Sequence, residues 1–403
     1  MHLSPTSDVS RRMTAASPPA PNPLAGDPPT REAIGIARVL CILGIVYVHA
    51  WTGLDGDQLA KMDSTHQGIV RWVLIELVGR SAVPLLGAIS GWLSGPSARK
   101  RSYGAFVKVK ARTILAPMLL WNVIAMVLVC GFAHWGTLAA PVPSSIGEAF
   151  DWIGCVTQPN PINVQISFLR DLFLCMCAAP LLARLSNRWL WAAWGFALLW
   201  SASGIVFPLL LRPPILLFFL SGMLARRNGT AERIAGWPLW IYLLPYLLIA
   251  PAKIAASSFY DAWLKAHVAA ADAIDLPIRF AAALALWRIA LALAPRPFGR
   301  RIVGIERYAF LLFCCHLALI WLLGPPIGHA IGKMGTPLYP VFLLVQPLLA
   351  LGGTIIIGRA LEAISRPTAG LLSGGRLASP RPPRLPRGAA SAKGAASPPG
   401  ASS

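Results

Sequence analysis

Apolar runs long enough to cross a bilayer recur along this chain, and they decide what it can fold into. A helix needs about 20 residues, at 1.5 Å per residue, to span about 30 Å of hydrocarbon. Runs of roughly that length follow one another between residues 32 and 362. In hydrocarbon every backbone polar group must be satisfied inside the segment, so such runs become helices. Composition agrees, because 56% hydrophobic and only 13% charged residues in a chain of 403 leave too little charge to cover a soluble surface. The expected fold is an all-α polytopic membrane protein with about ten spans. These are 32–53, 69–95, 113–133, 166–184, 189–205, 207–225, 236–256, 277–294, 306–324 and 338–362. Pro84 is expected to tilt or break the second span, and Pro208, Pro213 and Pro214 to make the sixth enter partly unwound.

The net charge of +20 raises the question of nucleic acid, and its distribution answers it. Segments 1–31 and 363–403 are rich in Pro, Ala, Ser and Gly and are expected to be disordered cytoplasmic ends flanking one membrane domain, 32–362. Arg366, Arg376, Arg381, Arg384, Arg387 and Lys393 give the tail a basic character suited to anionic lipid rather than nucleic acid. The loops holding Arg99, Lys100, Arg101, Lys108, Lys110, Arg112, Arg226, Arg227, Arg300 and Arg301 alternate with loops bearing Asp55, Asp57 and Asp63, then Glu148 and Asp151, then Asp261, Asp272 and Asp275. Positive-inside bias then places the basic loops and both termini in the cytoplasm. The long loop 134–165 lacks Lys and Arg and is expected outside, over the mouth of a site. A polar N-terminal stretch before the first apolar run argues against a cleaved signal peptide. The cysteines and histidines show no metal-ligand spacing, so no metal is expected.

Ionisable side chains among membrane helices cost at least about 2.5 kcal/mol each, so each needs a reason. Arg38 and His49 stand eleven residues apart. At about 100° per residue they return to within roughly 20° of one face, about 16 Å apart along the axis. Both can line one cavity at different depths, Arg38 nearer the cytoplasm; the bland alternatives are a snorkelling arginine and an interhelical hydrogen bond. Glu76 and Arg80, spaced i, i+4, read most economically as an ion pair. Arg170 and Asp171 are adjacent and are expected to point to different faces, with at least one reaching another helix or the outer vestibule. His316 lies two to three turns beyond the basic stretch that opens its span.

These elements, in this order, resemble the acyltransferase-3 family of membrane O-acyltransferases, which modify sugars of bacterial surface and exported glycans. Arg38-x10-His49 is similar to the family's basic-x10-His motif. Arg80, Pro84, Ser90, Gly91 and Trp92 follow its Arg-x-x-x-Pro and Ser-Gly-aromatic pattern. Further likeness lies in KVKARTILAPMLLW, which ends in Pro117 and Trp121, and in SFLRDLF, FFLSGMLARR and YAFLLFCCH. The chain departs from the pattern at Gly35, where many members carry an acid, and at Leu86, Gly87 and Ser167.

The resemblance implies acyl transfer from cytoplasmic acyl-CoA, acetyl by default and succinyl as the other candidate, to a sugar hydroxyl of an exported or lipid-linked glycan. No bound cofactor is implied. Arg38, Lys108, Lys110 and Arg112 would hold the donor phosphates. His49 would act as base or transient acyl carrier, with Arg80, helped by Arg170 or His316, stabilising the oxyanion. Glu76, Ser90, Arg170 and Asp171 would support the acceptor side. Membrane lipid, the glycan and polysaccharide assembly proteins are the expected partners. The competing readings are a secondary transporter or flippase using the same charges, and a non-catalytic scaffold.

Overall fold

The computed structural model describes residues 28–378, apart from 81, 206, 208, 260–262 and 264–265. Asp261 and the tail's Arg381, Arg384, Arg387 and Lys393 lie outside the described residues, as does the N-terminal segment before Pro28. Among the described residues the chain is helical, with no sheet and one isolated bridge between Phe207 and Leu210.

A helix occupies each of the ten apolar segments: α1 Pro28–Val48, α2 His66–Lys100, α3 Tyr103–His134, α4 Val164–Leu182, α5 Asn187–Ala202, α6 Pro214–Arg227, α7 Trp240–Phe259, α8 Val268–Leu293, α9 Pro297–Ile331 and α10 Tyr339–Ile364. Six of them (α2, α3, α4, α8, α9 and α10) are long and apolar enough to cross a membrane. Three of the others, α1, α5 and α6, fall short of that measure for visible reasons. The helices α5 and α6 have only 16 and 14 residues, against the roughly 20 that hydrocarbon requires. Arg31, Glu32 and Arg38 all sit within the 21 residues of α1.

Proline explains two irregular turns. A π-helical stretch, Leu74–Arg80, precedes Pro84 inside α2, and another, Ala111–Leu115, precedes Pro117 inside α3. A proline has no N–H for the carbonyl four residues back, so Arg80 and Thr113 lose their helical partners and the turn widens. The expected disturbance of the second span is therefore a wide turn just before Pro84. The sixth span is unwound as expected, since helix begins only at Pro214.

Close packing of small residues joins α2 to α6. A methyl group added to Gly91 would fall 1.8 Å from the Phe219 carbonyl oxygen, and one on Gly222 would fall 1.8 Å from that of Ala88. Only glycine lets the two backbones approach so closely, the usual device where water cannot drive helices together. The centre of the bundle is α1, with Ile36, Ala37, Cys41 and Val46 buried against α2, α8, α9 and α10.

Two expectations about the ends of the domain change. The first helix stops at Val48 rather than running to residue 53, because α10 takes over the backbone partners of Trp51. The Trp51 N–H donates to Gln346 Oε1 at 2.7 Å, and its carbonyl accepts from Gln346 Nε2 at 3.0 Å and from the Tyr339 hydroxyl at 3.1 Å. Nor does the chain lose structure at residue 363. After α10 a short helix, α11 (Arg366–Leu372), turns back under α3, where Trp121 Nε1 donates to the Leu372 carbonyl at 3.0 Å.

Candidate active site

The parallel helices α1 and α9 meet through two pairs of side chains. Arg38 Nη1 donates to Glu306 Oε1 at 2.8 Å. Beyond it along both helices, the rings of His49 and His316 lie 5.6 Å apart, centroid to centroid, tilted by 39°. The spacing is eleven residues from Arg38 to His49, which stands in the turn just past the end of α1, and ten on α9, or about 15–16 Å of rise. The face shared by Arg38 and His49 is thus matched by a second face on α9.

A cavity of about 160 Å³ surrounds the first pair. Its polar wall holds Arg38, Lys110, Arg376, Glu306, Ser90 and Ser94, and its apolar wall includes Leu169, Leu172 and Met176. Phe313 also lines it and separates it from the histidines, with its ring 5.7 Å from that of Phe168 and 6.3 Å from that of His316. Arg376 enters from the turn after α11, with its guanidinium 4.0 Å above the Phe310 ring. Desolvation, reinforced by the charge of Arg38, draws the Arg376 pKa down to about 10, so it stays charged at neutral pH.

The second pair is held from both ends. His316 is fully buried, and its Nδ1 lies 2.9 Å from the Leu312 carbonyl and 3.1 Å from that of Phe313. Carbonyls only accept, so the proton is assigned to Nδ1 and Nε2 is left with its lone pair. That Nε2 is buried without a partner among the described residues. Gln165, also buried, donates from Nε2 to the same Phe313 carbonyl at 3.4 Å and to Asn163 Oδ1 at 2.5 Å. Asn163 Nδ2 in turn donates to Asn122 Oδ1 at 3.3 Å, so loop 134–165 is tied into the bundle beside His316. On the other side, Trp51 clamps the end of α1. Its ring fills the groove over Gly324 and Gly328, where added methyl groups would come within 2.7 Å and 2.0 Å of it.

A cationic cavity and an imidazole pair with an open acceptor nitrogen suit the movement of an acyl group from an anionic carrier. Residues 31–358 match the family model described as an acyltransferase domain. The chain belongs to the acyltransferase-3 family. It is also similar to the succinoglycan biosynthesis protein ExoH of Rhizobium meliloti (strain 1021), 26% identical over 374 residues covering 86% of this chain and 93% of that protein. No solved structure matches it.

On this acyltransferase-3 scaffold the predicted site residues divide. Arg38, Lys110 and Ser90 line the cavity, and His49 and His316 form the pair. Lys108 and Arg112, spaced i, i+4, are exposed on a helix face turned away from the one by which Lys110 lines the cavity. Ser90 stands with the basic residues rather than with the histidines, and its hydroxyl donates to Leu86 O at 2.8 Å. Glu76 and Arg80 pair at 2.7 Å, as their spacing predicts.

Arg170 and Asp171 do not diverge, because Arg170 Nη1 curls back to Asp171 Oδ1 at 2.8 Å. Asp171 also accepts from the backbone N–H groups of Leu211 and Arg212 at 3.2 and 2.8 Å. The pair thereby pins the unwound approach to α6. That places Arg212, absent from the predicted set, within electrostatic range of His49 together with Arg80. A lone cation in the Pro-flanked LLLRPP stretch was its signal in the sequence. The missing acid at Gly35 also has an explanation: Glu306 occupies the space, its Cγ 3.4 Å from where a Cβ on Gly35 would stand, and supplies the carboxylate for Arg38 from α9.

Proposed function

We propose that this protein is an inner-membrane O-acyltransferase. It moves an acyl group, acetyl by default and succinyl as the other candidate, from cytoplasmic acyl-CoA to a sugar hydroxyl of an exported or lipid-linked glycan, such as exopolysaccharide or lipopolysaccharide. The observation that carries the reading is the pairing, on α1 and α9, of a cation-lined cavity with two imidazoles one helical stretch away.

In the mechanism we favour, the donor's phosphates rest against Arg38 and Lys110, and its thioester arm passes Phe168 and Phe313 toward His49. The acceptor hydroxyl attacks the thioester carbonyl as its proton moves to His49, directly or onward to Nε2 of His316. The carbon–sulfur bond then breaks, and the CoA thiolate takes up a proton. Since His316 Nε2 accepts rather than donates, the oxyanion falls to the cations Arg80 and Arg212. The parallel course of α1 and α9 supports an even number of crossings between their starting points, as ten spans with both termini inside require. Descent within one family with a succinoglycan biosynthesis protein favours an exported glycan as acceptor.

The test compares surface glycans of wild-type, deletion and His49→Ala strains by mass spectrometry at matched protein level. The deletion should remove one acyl mass, and His49→Ala should cut acylation about 10²- to 10⁴-fold, the usual worth of a general base. Wild-type acylation by His49→Ala would remove the histidine from the chemistry.

A further inference from the structure

The cavity around Arg38 carries more positive charge than its own acid can balance. Three cations line it (Arg38, Lys110 and Arg376) against one carboxylate, Glu306, which Arg38 already engages at 2.8 Å. Such a surplus, in a half-enclosed space of about 160 Å³, calls for an anion. The space is too small for a whole nucleotide thioester, for which sites of roughly 300 Å³ or more are usual. It suits a phosphate together with the start of an apolar arm.

Arg376 is held there by construction. Its guanidinium stacks on Phe310 at 4.0 Å. Nη1 donates to the Ser373 carbonyl at 3.2 Å and the Gly374 carbonyl at 3.5 Å, leaving Nε and Nη2 unengaged among the described residues. The turn that presents it needs Gly374 at φ +60°, packed so close to α3 that a methyl group there would lie 2.4 Å from the Thr113 carbonyl. That carbonyl is the one whose i+4 donor Pro117 removes. Leu377 is buried on the other side of the arginine, and its N–H donates to Ser373 Oγ at 2.9 Å.

We propose that residues 366–378, which follow the part of the chain matching the family domain (31–358), complete the donor site, with Arg376 binding a phosphate of the acyl donor. The inference rests on the acyl-donor reading above. An anionic lipid headgroup shares the chemistry and is the alternative source of the phosphate.

The experiment uses the full chain in phosphatidylcholine nanodiscs and follows thiol release from acyl-CoA and from acyl-pantetheine, which lacks phosphate. Arg376→Ala should raise KM for acyl-CoA on the order of 10- to 100-fold, the worth of a charge-assisted hydrogen bond, and leave KM for acyl-pantetheine unchanged. Arg376→Lys should recover part of the loss. Removing residues 379–403 should leave KM unaltered, whereas removing 366–403 should reproduce Arg376→Ala.

Equal shifts with both donors would mean a merely structural role, and no shift with either would mean no role; each overturns the proposal while the acyl-CoA reading stands. An effect of Arg376→Ala that emerges only when anionic lipid is added assigns the phosphate to a headgroup and also overturns it. If the wild-type protein releases thiol from neither donor, the acyl-donor reading falls and this inference falls with it.

Discussion

His316 shows how a residue's role is set by which of its atoms are already occupied. With Nδ1 committed to the carbonyls of Leu312 and Phe313, its only free function is acceptance at Nε2. His316→Gln keeps a polar side chain but removes the proton-accepting nitrogen. It should lower kcat on the order of 10²-fold while leaving KM for acyl-CoA unchanged, because the cationic cavity lies on the far side of Phe313. Steady-state kinetics over a range of donor concentrations check this; a rise in KM at constant kcat would make His316 a donor-site residue instead. The sequence revealed that His316 was buried and costly, but not its tautomer, which depends on how one ring lies against its own helix. Asp171 repeats the lesson. Its neighbour in sequence is its partner in space, and its other two bonds go to backbone some forty residues away.

At the scale of elements, the site depends on the relative heights of α1 and α9. Trp51 sets them by filling the groove over Gly324 and Gly328. Gly328→Ala would push a methyl group into that ring. Overpacking of this kind costs about 1–3 kcal/mol and should lower the melting temperature in detergent while reducing acylation. Gly328→Ala combined with Trp51→Leu should regain the melting temperature without regaining activity, because the end of α1 would no longer be clamped. Recovery of both would show that Trp51 only fills space. The wide turns before Pro84 and Pro117 work at the same scale. Lys110, the last residue before the second of them, lines the cavity, while Lys108 and Arg112, four residues apart and so on one face at about 100° per residue, stay exposed.

For the whole molecule, the quantity that matters most to function is sidedness. Lys and Arg gather in alternate loops, so the positive-inside rule assigns a side to each loop from the order of residues alone. Single cysteines placed in a cysteine-free background test that assignment, using a membrane-impermeant maleimide on intact spheroplasts. Asp57→Cys and Ser144→Cys should label at once, and Arg101→Cys and Asn228→Cys only after lysis. The reverse pattern would put the cationic cavity on the wrong side for a cytoplasmic donor and would end the acyl-CoA reading.

The sequence by itself determined that the chain is a helical membrane bundle, where its apolar segments lie, and that Arg38 and His49 share a face. Each of these follows from composition or from the fixed rise and turn of a helix. The motifs also revealed the family. Tertiary structure alone decided that Glu306 replaces the acid missing at Gly35, that Asp171 anchors the backbone at Arg212, and that Gln346 ends α1 before residue 53. It also placed Arg376, in a segment read as disordered, in the wall of the cationic cavity. Those outcomes depend on which distant segments meet, and local periodicity carries no record of such meetings.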